Sequence, residues 1–387
     1  MNAVRKNEII HKLIKVPYVR RINKFIKRFF RKPNNAYDDV ELNCDIGIKE
    51  DISLEGANKI LIEWPNNVGK PYVGLVRESN VPGAYWPKYE RFLKNNNIKY
   101  DYYEVDKSDF IEEGKKFDII IWRTPNEPAK QDEAASKIRI LQNHLGKICL
   151  PSEEELWFYE NKINQYYIGQ VKGLPMIETF ISNSEVEAME YIRKCKYPVV
   201  SKVTTGSSSQ GVKLIKNARQ ASKMCKKVFE NGLSSCWTYV KQKNYVYFQQ
   251  FIPNAKYDLR IIVIGNSFFG YYRQVPKDDF RASGSGIEIF DEVLPEEAML
   301  LAKEVKMKYI ESRMLAVDLL KDQRDGKFYI IETTIFPGVY FPSETIINGK
   351  LGRYVYENGK FNFEPGRFWV QELALQEVMN EWIHSKK

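Results

Sequence analysis

The 387-residue chain is poor in the side chains that form most metal and redox centres. Its five cysteines are an odd number without CxxC spacing, which argues against a disulfide framework and against a zinc site. With only three histidines, two of them near the chain ends, we expect neither a histidine-dependent triad nor a histidine-rich metal site. The chemistry must therefore rest on Lys, Arg, Asp and Glu, and the cysteine usage predicts a cytoplasmic protein.

Long apolar runs are also missing. No stretch approaches the roughly 18 uninterrupted apolar residues of a membrane-spanning helix, and the N-terminus lacks the apolar core of a secretory signal. Apolar residues make up 43% of the chain and charged residues 28%, which is typical of soluble globular proteins. A chain of this length has room for two or three domains.

The net charge of +9 is concentrated at one end. Residues 1–35 contain eleven Lys or Arg and one Glu, so the rest of the chain is close to neutral, which argues against nucleic acid as a partner. An apolar stripe at helical spacing runs beside these cations: Ile22, Phe25, Ile26, Phe29 and Phe30. A basic amphipathic helix suits an anionic bilayer surface, and predicts peripheral attachment at the inner membrane face. The alternatives are a helix packed on the body, or a segment that binds RNA or a protein partner.

The rest of the chain divides by its pattern of predicted elements. Residues 36–69 predict a connector, and residues 70–155 alternate short apolar strands with helices, which indicates a small parallel α/β sheet. From 156 to 368, helices mix with antiparallel strands, which indicates an α+β region with subdomains at about 156–245 and 246–368. A C-terminal helix is predicted over 369–387.

Three local predictions within these regions can be compared directly with a structure. Asp258–Ile264 and Ser267–Gln274 predict a hairpin, since a Gly265-Asn266 turn tolerates positive φ. Single helices are predicted over Ala129–Leu145 and Glu153–Gln170.

The stretch VVSKVTTGSSSQGVKLI, residues 199–215, places Lys202 before a Gly/Ser-rich loop between two predicted strands. A P-loop has its lysine after the glycines and before a helix, so that template fails, and no helix opens on this loop as GxGxxG requires. A flexible turn rich in N–H and hydroxyl donors can instead close over a polyphosphate, with Lys202 as a fixed charge below it. The alternative is an ordinary Ser-rich hairpin turn.

Cations and acids of the second half strengthen the phosphate interpretation. Arg260, Arg273 and Arg281 follow one another along the hairpin and its exit, and arginine suits bidentate contact with phosphate or carboxylate. Asp318 and Glu332 each lie inside an apolar strand, where an acid is costly unless it is paired or binds a metal. A shared Mg²⁺ site with nucleotide phosphates is predicted, and the alternative is that each acid pairs with a nearby arginine.

From about Glu153 to Gly366 the chain resembles the ATP-grasp ligases, especially the branch with ribosomal-protein glutamate ligase and glutathione synthetase. The resemblance rests on the order of short motifs: ENK with Lys162, YPVVSK with Lys202 and the Gly/Ser loop, FQQFI, YDLRIIVIG, the arginine of the next strand, AVDLL and IIETT. It implies an ATP-grasp fold, in which two α+β subdomains clamp ATP. Residues 70–155 resemble the small parallel α/β domain that precedes the grasp.

The resemblance also implies residue roles. Lys162 and Lys202 would contact ATP, and Asp258 would hold its ribose. The lid would contain Gly206, Ser207, Ser208, Ser209 and Gly211. The hinge that binds adenine would be Gln249, Gln250, Phe251 and Ile252. Arg260, Arg273 and Arg281 would surround the transferred phosphate and the acceptor as catalytic groups. One or two Mg²⁺ ions, or Mn²⁺ as a substitute, would be held by Asp318, Glu332 and Thr334.

Two departures from the family pattern concern the hinge and the metal. The hinge usually reads Gln-Glu, whereas this chain has Gln249-Gln250. The last metal motif usually reads Glu-x-Asn, whereas this chain has Glu332-Thr333-Thr334. A threonine hydroxyl is a poorer Mg²⁺ ligand than an amide carbonyl, so a second metal would bind more weakly.

The implied activity is that of an ATP-dependent carboxylate–amine ligase. A small-molecule carboxylate would attack the γ-phosphate of ATP, and an amine would convert the resulting acyl phosphate into an amide. Together with the basic segment 1–35, this predicts a cell-envelope or surface-glycan precursor as substrate and a role in polysaccharide biosynthesis. The alternatives are an ATP-grasp small-molecule kinase and a non-catalytic nucleotide-binding protein, and no oligomeric state is predicted.

Overall fold

The computed structural model describes residues 54, 56–78, 84–205, 211–235, 237, 239–253, 255, 257–276, 280–281, 288–339 and 341–387. These residues all belong to one compact unit that spans 44–387. The basic segment 1–35 lies outside the described residues, and so do the lid residues Gly206–Ser209. Within the described ranges, no helix combines the length and the apolar character that crossing a bilayer requires.

A parallel sheet forms the first part of the described chain. Its strands are β1 (Val73–Leu75), β2 (Tyr100–Tyr102), β3 (Ile119–Ile121) and β4 (Ile148–Leu150), in the order β2-β1-β3-β4. The connecting helices are α1 (Trp86–Asn95), α2 (Phe110–Lys115) and α3 (Pro128–Arg139). The sequence VGL of β1 and III of β3 is fully buried, as expected for strands with helices on both faces. The predicted parallel α/β sheet is confirmed.

Two of the predicted helices differ from the observed ones. α3 ends at Arg139 and continues as a π-helical turn, Ile140–His144. The single helix predicted over Glu153–Gln170 is wrong: α4 (Glu153–Phe158) and α5 (Lys162–Val171) are separate. The break has two causes, a left-handed backbone at Glu160 (φ +54°) and a side-chain cap by Asn161, which accepts the Asn164 N–H at 3.1 Å. It makes Lys162 the first residue of a helix.

A second, antiparallel sheet follows. Its strands are β5 (Thr179–Ser182), β6 (Val199–Ser201), β7 (Lys213–Ile215) and β10 (Val246–Gln250), in the order β5-β10-β6-β7, beside a small pair, β8 (Leu233–Ser234) and β9 (Lys241–Gln242). Two helices pack on this sheet, α6 (Glu185–Lys194) and α7 (Ala218–Glu230). Their common core includes Ala188, Cys225, Val228, Val246 and Phe248, each at most 1% exposed.

The largest sheet is also antiparallel, in the order β15-β14-β11-β12-β17-β16, with β13 paired to β12 and β18 to β17. Its strands are β11 (Tyr257–Ile264), β12 (Ser267–Gln274), β13 (Glu288–Ile289), β14 (Leu315–Lys321), β15 (Phe328–Thr334), β16 (Ile346–Ile347), β17 (Lys350–Glu357) and β18 (Lys360–Pro365). The predicted β11–β12 hairpin is confirmed, with Gly265 at φ +52° in its turn. The strands β16 to β18 were not predicted.

The parallel sheet and the largest sheet share one apolar core. α8 (Glu296–Lys308) and α9 (Val370–Ser385) complete it. Arg91 on α1 contacts the buried carboxylate of Glu372 on α9 at 2.5 Å, which ties the C-terminal helix to the parallel sheet's first helix. The mixture of one parallel and several antiparallel sheets confirms the predicted fold class.

Candidate active site

A row of charged side chains crosses the largest sheet. Arg260 on β11 lies opposite Asp318 on β14, and Asp318 lies opposite Glu332 on β15. Asp258 is two residues before Arg260 and lies opposite Arg273 on β12. Directly opposed residues of an antiparallel sheet share a face, and so do residues two apart in one strand. The register therefore brings all five side chains to the same face of the sheet.

Arginines hold Asp318 on both oxygens. Arg260 makes a bidentate contact, with Nε at 2.8 Å from Oδ1 and Nη2 at 2.9 Å from Oδ2. Arg273 places its Nη2 at 2.8 Å from Oδ2 of Asp318 and its Nε at 2.6 Å from Oδ1 of Asp258. The result is an alternating network of two acids and two guanidiniums, with 6–14% of each side chain exposed.

Electrostatics distinguishes the two acids of this network. Burial acts to raise the pKa of Asp318, but Arg260 and Arg273 outweigh it and hold the pKa well below its usual range. Burial raises the pKa of Asp258 to about 6, against the opposing effect of Arg273. Asp318 is thus a permanent anion, while Asp258 titrates closer to neutral pH.

Lys162 and Glu332 form a second contact beside this network. Nζ of Lys162 lies 2.8 Å from Oε1 of Glu332, where the lysine side chain is 5% exposed and the glutamate side chain 25%. Burial acts to lower the pKa of Lys162, but Glu332 and Glu160 outweigh it, so the pKa is raised. Lys162 therefore stays protonated through the physiological range.

Lys202 follows β6 directly and is buried. Burial lowers its pKa to about 8, an effect to which Lys162 adds and which Glu332 and Asp318 oppose. The Lys162 N–H donates to the carbonyl of Thr204, two residues after Lys202, so this stretch of chain lies beside the start of α5 and its contact with Glu332. With this pKa, the Lys202 side chain is mostly charged at neutral pH and loses its charge under mildly alkaline conditions.

The loop after Lys202 is tied to α5 at its start. The Thr204 N–H donates to the Tyr245 hydroxyl at 2.8 Å, and the Thr204 carbonyl accepts the Lys162 N–H at 3.2 Å. At the other end, Gly211 has φ +82°, and a Cβ there would lie 2.5 Å from the Val203 side chain. Glycine is therefore required where the loop returns to the sheet.

The predicted hinge residues lie at and after the end of β10. Gln249 is buried and its Nε2 donates to the Thr179 hydroxyl at 3.2 Å, so this side chain is used inside the sheet. Gln250 is exposed, and its N–H donates to the Glu178 carbonyl at 2.8 Å. The ring centroids of Phe251 and Phe280 are 6.2 Å apart, and Cζ of Arg281 lies 5.8 Å from the Phe280 centroid. Ile252 is buried.

The described acids fit a magnesium ion only in part. Glu332 is partly exposed, and one of its oxygens contacts Lys162. Both oxygens of Asp318 are bound by guanidiniums, and the Thr334 hydroxyl accepts the Phe336 N–H at 3.3 Å. Among the described residues, no cluster of three or more His, Cys, Asp or Glu side chains could hold a metal. Glu332 thus fits the ion, while a shared Asp318–Glu332 site does not fit this arrangement, and the metal roles stay predictions.

Glu160 is a site residue that the sequence did not reveal. It is 6% exposed, and its Oε2 has no hydrogen-bond partner among the described residues. Burial raises its pKa to about 7, against the opposing effect of Lys162. A helix-start signal was present in the sequence, because Asn161 is a favoured N-cap, and it would have separated Glu160 from the following helix.

Comparison with known proteins agrees with the resemblance to the ATP-grasp ligases. Residues 160–348 match the family described as the RimK-like ATP-grasp domain. This segment is a RimK-like ATP-grasp domain. It contains Lys162, Lys202 and the charged row on β11, β12, β14 and β15.

Two curated relatives are similar over longer stretches. The chain is 28% identical over 208 residues to "Alpha-aminoadipate--LysW ligase LysX" of Saccharolobus solfataricus, which covers 51% of this chain and 69% of the relative. It is 23% identical over 279 residues to "Glutamate--LysW ligase ArgX" of Sulfurisphaera tokodaii, which covers 69% of this chain and 92% of the relative.

Solved structures show the same fold. D-cycloserine synthetase DcsG superposes with a TM-score of 0.54 at 13% identity, covering 80% of this chain and 99% of its own. D-alanyl-alanine synthetase A from Vibrio cholerae gives 0.53 at 14% identity, covering 82% and 99%. The predicted ATP-grasp fold and the predicted class of ATP-grasp ligase are confirmed, while the individual residue roles and the domain bounds stay predictions.

Proposed function

We propose that this RimK-like ATP-grasp protein activates a carboxylate as an acyl phosphate and transfers it to an amine at the site of Lys162, Lys202 and Glu332. The observation that carries the proposal is the 2.8 Å contact of Lys162 with Glu332, beside the arginine network on the same sheet face. The site also holds Lys202, Arg260 and Arg273, and a site with four cations suits an anionic substrate, such as nucleotide phosphates and a carboxylate, better than an uncharged one.

The two lysines have the protonation states that phosphate binding needs. Lys162 has a raised pKa, and Lys202, with a pKa of about 8, is mostly charged at neutral pH. Both would hold phosphate oxygens of ATP. Glu332 would hold a magnesium ion, which supplies charge neutralisation at the phosphates when it is bound.

The arginines would act on the reacting groups. One oxygen of the substrate carboxylate attacks the γ-phosphorus, the bond to the β-phosphate oxygen breaks, and ADP leaves. Arg260 and Arg273, fixed by Asp318 and Asp258, would stabilise negative charge on the transferring group without reorganising. The amine then attacks the acyl carbon, loses a proton, and expels phosphate, which keeps one oxygen of the original carboxylate.

We propose an amino acid as one of the two substrates. The two curated relatives are named as ligases of α-aminoadipate and of glutamate with LysW, and a cationic site suits an acidic amino acid. A cell-envelope or surface-glycan substrate, reached through residues 1–35 at the inner membrane face, is supported only by the sequence of that segment.

The test is ADP release by the full chain with Mg-ATP and pools of amino acids, dicarboxylates and sugar acids, with and without hydroxylamine. A carboxylate that gives ADP and a hydroxamate supports the ligase, because hydroxylamine traps an acyl phosphate. A stable phosphorylated product would instead show a kinase. ADP binding with no turnover in any pool would show a non-catalytic nucleotide-binding protein.

A further inference from the structure

A buried side-chain amide joins helix α5 to strand β15. Gln165 lies on α5, three residues after Lys162, and is 2% exposed. Its Nε2 donates to the Thr333 carbonyl at 3.0 Å, and its Oε1 accepts the Thr333 N–H at 3.1 Å. Thr333 directly follows Glu332 on β15. The amide therefore pairs with the backbone of β15 as a neighbouring strand would, at the residue next to Glu332.

The same amide also bridges the break between α4 and α5. Nε2 of Gln165 donates to the carbonyl of Phe158, the last residue of α4, at 3.2 Å. The Tyr309 hydroxyl donates to the Gln165 carbonyl, and the rings of Tyr309 and Phe158 meet edge-on with their centroids 4.5 Å apart. Because both N–H groups of the side-chain amide are used, hydrogen bonds fix its orientation.

Strand β15 contains an extra residue directly before Glu332. Asp318 on β14 lies opposite Glu332. The next residue of β14, Leu319, lies opposite Ile330, so Ile331 is the extra residue of a β-bulge. In a regular strand Glu332 would share the face of Ile330, which is 0% exposed. The bulge therefore turns Glu332 away from the core face and onto the face of Asp318.

Hydrogen bonds hold β15 on both sides of this bulge. β15 lies at one end of the largest sheet, so its outer edge pairs with other parts of the chain. Before the bulge, the Ile330 N–H donates to the Pro175 carbonyl at 2.9 Å, and the Ile330 carbonyl accepts the Ile177 N–H at 3.3 Å. After the bulge, Gln165 holds Thr333. A one-residue slip of the strand would return the carboxylate to the core face, and these bonds oppose that slip.

Lys162 and Gln165 contact consecutive residues of β15. Residues three apart on a helix are neighbours on its surface. Nζ of Lys162 lies 2.8 Å from Oε1 of Glu332, and Gln165 is bonded to the backbone of Thr333. A shift of α5 relative to β15 would therefore change the lysine–glutamate contact and the amide contact together.

We propose that Gln165 is a positioning residue, which holds the bulged part of β15 so that the Glu332 carboxylate stays on the charged face of the sheet beside Lys162. The inference rests on the proposed function, in which Glu332 holds a magnesium ion at the nucleotide phosphates. It adds a residue that lies outside the charged row and acts on nucleotide binding through Glu332. Without this amide, the metal-dependent part of nucleotide binding weakens, while the part that depends on the lysines is kept.

The test is calorimetric titration of the full chain with ADP, in excess Mg²⁺ and, separately, in EDTA. Gln165→Met keeps the approximate length of the side chain and removes all three of its hydrogen bonds. Gln170→Met is the matched control, because Gln170 lies on the same helix and its Nε2 donates to the Tyr166 hydroxyl at 2.7 Å. We expect Gln165→Met to bind ADP with Mg²⁺ about tenfold more weakly than the wild type. Its affinity in EDTA should be unchanged, and Gln170→Met should match the wild type in both conditions.

A double variant shows whether Gln165 acts through Glu332. Glu332→Gln should also lose Mg²⁺-dependent affinity, and adding Gln165→Met to it should cause no further loss, since the effects of residues that act through one another do not add. The proposal is overturned if Gln165→Met causes the same loss in both backgrounds, if it weakens binding equally in EDTA, or if Gln170→Met loses as much.

The single variants keep this proposal apart from the proposed function. A loss in Glu332→Gln with wild-type affinity in Gln165→Met overturns the role of Gln165 and leaves that of Glu332 in place. Wild-type affinity in Glu332→Gln contradicts the proposed function at Glu332 and this proposal with it. If Gln165→Met does not fold, as judged by circular dichroism, Gln165→Glu decides: it keeps the oxygen that accepts the Thr333 N–H and should show a smaller loss, and wild-type affinity would overturn the proposal.

Discussion

The parallel sheet and the largest antiparallel sheet place their charged groups differently. In β1 and β3 every residue is apolar and buried, and arginines appear only after the strands have ended. In β11, β14 and β15 charged residues lie inside the strands, all on one face. A sheet covered by helices on both faces can offer polar side chains only at its ends, whereas an antiparallel sheet can keep one face polar and carry charges along its strands. Each such charge then needs a partner, and the kind of partner separates side chains that stabilise the sheet from side chains that can act on a substrate.

Two of the three acids of the charged row, Asp318 and Glu332, show this difference. Asp318 is held on both oxygens by two arginines, while the more exposed Glu332 contacts a single lysine. We therefore expect Asp318 to contribute mainly to stability and Glu332 mainly to catalysis.

The largest expected effect is on turnover. Glu332→Gln should lower kcat for ADP release by at least about 100-fold, since it removes a charge at the reacting phosphates, while the melting temperature changes little. The amide can still accept a hydrogen bond from Lys162, which limits the effect on stability. Glu364→Gln on β18, an exposed partner of Arg353, is the control and should keep wild-type turnover. Unchanged turnover in Glu332→Gln would remove the distinction between the two acids.

The next effect is on stability. Asp318→Asn leaves two buried guanidiniums without their shared anion and should lower the free energy of unfolding by about 3–5 kcal/mol, measured by urea denaturation. Glu297→Gln, which breaks a contact with Lys321 where both side chains are about half exposed, should cost less than about 1 kcal/mol. A loss for Asp318→Asn as small as that control's would show that the arginine network is not structural.

Glu160 tests whether a buried acid without a full set of partners behaves differently from Asp318. The pKa of Glu160 is about 7 in the folded state against an ordinary 4.5. In the window between these two pH values, the folded state keeps a proton on Glu160 that the unfolded state has lost. Its contribution to stability is present below the window and is lost as the pH rises to 7. Glu160→Gln should therefore gain up to about 3 kcal/mol relative to the wild type between pH 4.5 and 7.5. A difference in unfolding free energy that does not vary with pH would contradict this.

The smallest effect concerns nucleotide affinity. Because the pKa of Lys202 is about 8, its charge is lost as the pH rises above 8, and the Kd for ADP should increase about tenfold per pH unit there. Lys202→Arg keeps its charge and should show a flat profile over the same range, and Lys162, with a raised pKa, should not contribute to the slope. A flat profile in the wild type would show that Lys202 does not contact the nucleotide in its charged form.

Much of the fold follows from local signals in the sequence. The apolar runs of the parallel sheet and the Gly265-Asn266 hairpin were predicted from composition and turn chemistry. The β17–β18 hairpin carried a comparable signal that was overlooked: Asn358 and Gly359 have φ of +50° and +79°, as an Asn-Gly turn prefers.

The site could be predicted only in its residue types. An acid inside an apolar strand, as in AVDLL, indicates that the carboxylate has a partner, but the sequence does not decide whether that partner is a metal ion or an arginine. That choice depends on strand register, which puts Arg260 opposite Asp318, and on the position of α5, which brings Lys162 to Glu332. Glu160 does not lie inside an apolar run, so its neighbours in sequence do not indicate that it is buried.

The central claim is that a carboxylate attacks the γ-phosphate of ATP at the charged row. The most direct measurement uses a substrate carboxylate labelled with ¹⁸O, once the screen has identified one, and analyses the released phosphate by mass spectrometry. An acyl phosphate predicts that each phosphate carries one oxygen from the carboxylate, in proportion to the amide formed. Amide formation with unlabelled phosphate would contradict the account.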